Sequence, residues 1–127
     1  MNPIDEALLT GTFGELLVQL RLFQYQVQAT PPLKDTGNDL IAVRGETLKA
    51  IQVKTTRLND MVRIPTDRLY HALAIVRLSG EGRELHLDQS EIYLIDRSEI
   101  DSGSVDWHDL ERFRLCQGVV DSLFPPP

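Results

Sequence analysis

The stretch from Asp39 to Thr55 leaves this chain few folding choices. DLIAVR (39–44) and LKAIQVKT (48–55) both read as strands, and little more than Gly45 and Glu46 stands between them. So short a connection makes them neighbours in an antiparallel hairpin. Within the second strand, Ile51 and Val53 point to one face while Gln52 and Lys54 point to the other. The apolar pair needs a covering layer. Ala72 to Leu78 (ALAIVRL) is almost continuously apolar, the pattern of a strand buried on both faces. Glu91 to Asp96 (EIYLID) reads as a further strand, and Tyr25 to Thr30 as a short one stopped by Pro31 and Pro32.

The covering helices are expected at the two ends. Over residues 3–24, Ile4, Leu8, Phe13, Leu16, Leu17, Leu20 and Phe23 recur at nearly helical spacing. Asn2 is the expected cap, Pro3 suits the first helical position, and Asp5 and Glu6 suit the positive end of the dipole. Gly11 and Gly14 mark either a close backbone approach or a break with Thr12 restarting the helix. From Trp107, the positions Leu110, Phe113, Val120 and Leu123 suggest a C-terminal helix, with Trp107 anchoring it or a subunit contact and Cys116 in the core. Residues 57–70 read as irregular, with a short strand at Met61 to Ile64 and one helical turn after Pro65; Lys34 to Asn38 and Ser79 to Arg83 read as turns. The fold class is therefore α/β (α+β): a mixed central sheet flanked by helices, in the order helix, three strands, irregular link, one or two strands, helix.

A chain of 127 residues fits one domain. Its 42% hydrophobic and 25% charged content excludes disorder and a coiled coil. A single cysteine excludes an internal disulfide and a cysteine-rich zinc site. No apolar run approaches the ~20 residues of a membrane span, and MNPIDEALL lacks the pattern of a signal peptide. No membrane contact is expected, and a cytoplasmic location is. The net charge of −6 is unevenly spread: residues 1–80 hold nine Lys and Arg against eight Asp and Glu, and residues 81–127 hold four against eleven. The acid excess lies in the last third, so a neutral or basic face remains available in the first two thirds.

The chemistry gathers on the hairpin. Counting outward from Gly45 places Asp39 near Gln52 and Lys54, so a carboxylate, an amide and an ammonium group converge at one edge of the sheet. A carboxylate with neutral oxygens suits a hard cation such as Mg²⁺. Such a cation binds a phosphate oxygen and activates a water, while a lysine beside it orients that water and stabilises developing negative charge. Glu15 adds a second carboxylate if the first helix packs with its C-terminal half over the site. Each residue has a plainer role: Asp39 as a turn residue, Gln52 on an open sheet face, Lys54 at a solvated strand end, and Glu15 in a capping box with Thr12. His71, His86 and His108 lie apart from one another and read as structural or surface residues.

Gly14-Glu15 on a helix, Gly37-Asn38-Asp39-Leu40-Ile41-Ala42-Val43, and Ile51-Gln52-Val53-Lys54 together resemble the PD-(D/E)XK nuclease superfamily, over roughly residues 10–56. The likeness is closest to its small Q-x-K members, such as intron-encoded homing endonucleases and endonuclease-like domains of unknown role. It implies a restriction-endonuclease-like core of αβββ(α)β order. By this resemblance Asp39 is the central metal ligand, and Gln52 stands at the (D/E) position as a ligand. Lys54 is the catalytic lysine, the Val53 carbonyl completes the metal site, and Glu15 is the helix acid. The reaction implied is Mg²⁺-dependent hydrolysis of DNA, with Mn²⁺ as substitute. Gln52 departs from the acid of the family's name and removes one negative charge. Lys49, Thr55, Thr56 and Arg57, with Arg63 and Arg68, are candidate phosphate contacts. A homodimer or homotetramer is expected, since cutting both strands needs two sites. The competing expectations are a catalytically inactive nuclease-like module that binds DNA or protein, and an assembly subunit pairing through its C-terminal helix.

Overall fold

The computed structural model describes residues 4–34, 38–57, 62–100 and 103–127. The elements are α1 (Glu6–Gln24), β1 (Gln28–Thr30), β2 (Leu40–Arg44), β3 (Thr47–Arg57), β4 (Val62–Arg63), β5 (Ala72–Leu78), β6 (Glu91–Asp96), β7 (Ser104–Val105), α2 (Trp107–Leu110) and α3 (Gln117–Leu123). The chain is α+β, with a mixed five-stranded sheet in the order β1-β2-β3-β5-β6 flanked by helices. β3 runs parallel to β5, and every other neighbouring pair is antiparallel. β4 and β7 form a separate two-stranded sheet.

The hairpin forms as its alternation predicts. Gly45 takes φ +59° in the two-residue turn, and Leu40 lies opposite Ile51. One face of the sheet carries Leu40, Ala42, Ile51, Val53, Ala72, Ala74, Ile92 and Leu94, packed under Leu17, Val18 and Leu22 of α1 and under Val120, Leu123 and Phe124 at the C-terminal end. The other face buries Leu73, Ile75, Tyr93 and Ile95 against Val62, Ile64, Tyr70 and Leu110. Trp107 packs against Tyr93 with ring centroids 5.7 Å apart, and so anchors α2 to that second face. Arg44, only 7% exposed, ties β2 to the C-terminal end by donating to Asp121 and to the Phe124 carbonyl.

Several expectations need correction. α1 is capped by Asp5, whose side chain accepts from the Leu8 N–H at 2.8 Å; Asn2 and Pro3 lie outside the described residues. The helix runs unbroken past Thr12, so Thr12 and Glu15 form no capping box. Its buried face is Gly14, Leu17, Val18 and Leu22, whereas Ile4, Leu8, Leu16, Leu20 and Phe23 face solvent. β1 is shorter than expected, beginning at Gln28. Of the strand at 61–64 only Val62–Arg63 forms, Met61 being outside the described residues; no helical turn follows Pro65. The expected turn at 34–38 lies largely outside the described residues. No helix lies between β3 and β5 among the described residues.

The C-terminal helix is broken. Arg114 bridges to Tyr93, and the Leu115 N–H donates to the Ile92 carbonyl at 2.9 Å, which pulls the chain straight between α2 and α3. Cys116 therefore precedes α3 as an exposed residue and is not in the core. Val120 and Leu123 of α3 are buried in its own sheet, which leaves them unavailable for pairing with another subunit. Among the described residues no helix is long and apolar enough to cross a membrane.

Candidate active site

The site arises from a mismatch in strand length. β3 has eleven residues and β2 has five. Their pairing ends at Leu40 and Ile51. Beyond that point β3 remains bonded to β5 as far as Arg57, but among the described residues no strand covers its other edge. Asp39 sits where β2 stops. Its backbone N–H donates to the Ile51 carbonyl at 3.2 Å, and its Oδ2 accepts the next outward-pointing N–H, that of Val53, at 2.8 Å. The carboxylate thus replaces the missing strand for one bond. A strand residue directs its N–H and C=O to the same side, so the Val53 carbonyl also faces this open edge.

A cleft of about 590 Å³ opens along the edge, lined on the strand side by Gln52 through Arg57 with Asp39, and on the helix side by Glu6, Thr10, Gly11 and Glu15. The N-terminal half of α1 forms this wall, not the C-terminal half as expected. Close helix approach is possible because residue 14 is glycine. A Cβ there would stand 1.8 Å from the Thr55 Oγ1, far inside any van der Waals contact. Gly11 has nothing within 4 Å and serves no such purpose.

Asp39, Gln52 and Lys54 meet at this cleft, as the alternation and the hairpin count predict, and Glu15 joins them from α1. Burial, then repulsion by Asp39 and a hydrogen bond with it, push the Glu15 carboxyl above its ordinary range. Two carboxyl groups in contact with one raised pKa are the electrostatic setting that a cation relieves. Gln52 is 2% exposed. Its Nε2 donates to Asp39 Oδ2 at 2.7 Å, and its Oε1 is buried without a hydrogen-bond partner. In this arrangement Gln52 supports Asp39 with its nitrogen and keeps its oxygen unpartnered. The residues that fit a divalent cation are Asp39, Glu15 and the Val53 carbonyl, hard oxygen donors at one mouth. Among the described residues no three His, Cys, Asp or Glu side chains gather as a metal cage.

The weaker candidates divide. Thr55 and Thr56 line the cleft, Thr55 with its side chain against α1. Arg57 lines it too, but its guanidinium is engaged: Nε donates to Thr10 Oγ1 at 3.1 Å, and the terminal nitrogens donate to the carbonyls of Gly80 and Gly82. It braces the 80–82 turn against α1 and is not a free phosphate ligand. Lys49 is not in the cleft; it points to the opposite face from Gln52 and Lys54 and pairs with Asp96 at 3.4 Å. Arg68 does reach the cleft, whereas Arg63 lies exposed on β4 outside it. Sequence reading missed Glu6 and Thr10, although their spacing of one helical turn from each other and from Gly14 places all three along one line of α1. His71 is structural: its Nδ1 accepts the Ala50 N–H at 2.9 Å.

The chain matches no protein-family model, no curated protein and no solved structure, and the candidate site rests on its own geometry.

Proposed function

We propose that this protein is a divalent-metal-dependent endonuclease that hydrolyses DNA phosphodiester bonds, on a restriction-endonuclease-like core of the PD-(D/E)XK type. The observation that carries the reading is the meeting of Asp39, Glu15 and Lys54 along the uncovered edge of β3. A bound Mg²⁺ would neutralise phosphate charge and supply an activated water. Asp39, Glu15 and the Val53 carbonyl are the groups to hold it. Val53 N–H and Gln52 Nε2 fix the Asp39 carboxylate from behind, which pre-orients a ligand that would otherwise swing freely. Lys54 projects from the same strand face as Gln52. Its ammonium orients the attacking water and stabilises charge on the phosphate oxygen. Arg68 at the cleft adds positive charge for the DNA backbone.

The test is cleavage of supercoiled plasmid and of single-stranded DNA in Mn²⁺, with EDTA and Lys54→Ala as controls. Nicking that EDTA abolishes and that falls roughly 10²–10⁴-fold in Lys54→Ala, with thermal unfolding unchanged, supports the reading. Full activity in Lys54→Ala overturns the mechanism. One observation favours a second reading, a catalytically inactive nuclease-like module that binds DNA or protein: Gln52 places a nitrogen, not an acid, against Asp39. That reading predicts DNA binding without cleavage in any metal and no effect of Asp39→Ala on affinity.

A further inference from the structure

α1 has two apolar faces, and the sheet covers only one. Opposite the buried Gly14, Leu17, Val18 and Leu22, a second line runs through Leu8, Thr12, Leu16, Leu20 and Phe23 at steps of four, four, four and three residues. Such steps keep side chains on one side of a helix. Leu8 is 58% exposed, Leu16 56%, Leu20 48% and Phe23 65%. Between Ala7 and Gln24 the only charged residues are Glu15 and Arg21, both partly buried and off this line. An uncharged apolar strip has nothing to offer nucleic acid, and it has the charge-poor composition of a protein interface core.

We infer that this face is the contact between two copies of the chain, packed with their α1 helices antiparallel about a twofold axis. The strip is complementary to itself end for end. At its C-terminal end lies a groove of about 430 Å³ lined by Gln19, Leu20, Phe23, Gln28, Ala29 and Thr30. Toward its N-terminal end Leu8 projects, 58% exposed. An antiparallel pairing lays Leu8 of each copy into the groove of the other, beside Leu20, and brings Thr12 and Leu16 to the axis. One twofold operation fills both grooves, which is the isologous condition for a closed dimer. A parallel pairing leaves both grooves empty. The helix has 19 residues, about 28 Å at 1.5 Å each. With the groove alongside, that strip is on the scale of a small interface, against ~800 Å² per partner for a standard one.

The experiment is sedimentation equilibrium from about 1 to 100 µM. The expected result is a wild-type monomer–dimer equilibrium and a Leu16→Glu variant that is monomeric throughout with an unchanged unfolding temperature. A second measurement is independent of Leu16. In a Cys116→Ser background, Leu8→Cys and Leu20→Cys each alone stay uncrosslinked on oxidation, and the double variant forms a disulfide-linked dimer. A wild-type chain monomeric at 100 µM overturns the inference. So does a dimer that survives Leu16→Glu, or a double variant that fails to crosslink; either places the contact, or its occupant, elsewhere. None of these readouts depends on DNA or metal, so the outcome is separate from that of the nuclease reading.

Discussion

The two halves of β3 are nearly equal stretches of regular strand with opposite neighbours. Residues 47–50 pair with β2, and Ile51 pairs with β2 on one edge and β5 on the other. Residues 52–57 keep β5 and lose β2, and α1 crosses them at Gly14. The first half is a structural strand; the second is a strand with one edge held open by a carboxylate and a glycine. Placing chemistry on the second half costs the fold little, because β5 alone fixes the backbone there. The polar side chains of Gln52 and Lys54 sit on rigid strand, not on a loop, which is where precise positioning is easiest.

That contrast can be broken from either side. The largest loss of stability belongs to the first half. Ile51→Ala removes a side chain with no exposure and costs about 3 kcal/mol by chemical denaturation, while activity per folded molecule is retained. Gly14→Ala comes next, at about 2–3 kcal/mol for overpacking against Thr55. It also pushes α1 off the strand and draws Glu15 away from Asp39, so metal-induced stabilisation falls with it. Adding Thr55→Gly to Gly14→Ala restores part of both. If Gly14→Ala left stability and metal response unaltered, the close approach of α1 would not shape the site.

The smallest effect sharpens the comparison electrostatically. The Glu15 pKa is raised by burial and by Asp39. A carboxyl whose pKa is higher in the folded state supports folding fully below the ordinary carboxyl range, and that support is lost as pH rises through the folded value. Glu15→Gln removes the loss. Its stability relative to wild type is therefore near zero at acid pH and rises toward neutrality, by no more than about 1 kcal/mol because solvent screens a partly exposed group. Millimolar Mg²⁺ stabilises wild type more than Glu15→Gln and narrows the gap. pH-dependent unfolding midpoints with and without the ion read this directly.

Local chemistry made the hairpin legible. A two-residue turn and strict alternation determined which side chains of 39–55 share a face, and hence that Asp39, Gln52 and Lys54 would meet. The runs 72–78 and 91–96 were legible for the same reason: burial is written in composition. Other features depend on contacts between distant segments. The break before α3 comes from Leu115 bonding to β6, which a helical periodicity in 107–123 cannot reveal. β4 and β7 are two-residue strands whose partners lie some forty residues away. Arg57 looked like a free cation until the carbonyls of Gly80 and Gly82 occupied it. In α1, apolar residues occur on both sides, so periodicity found a helix without identifying its buried face.

The open edge of β3 also bears on how the protein behaves when crowded. Unpaired strand edges recruit other chains and seed aggregates. Elsewhere this sheet guards its borders: β1 is three residues long and is followed at once by Pro31 and Pro32, and β6 is partly covered by Arg114 and Leu115. On β3 the guard is the Asp39 carboxylate on Val53 with α1 lying across Thr55. The same two features that make room for a substrate also keep a stray strand from docking there, so the cleft doubles as protection against misassembly.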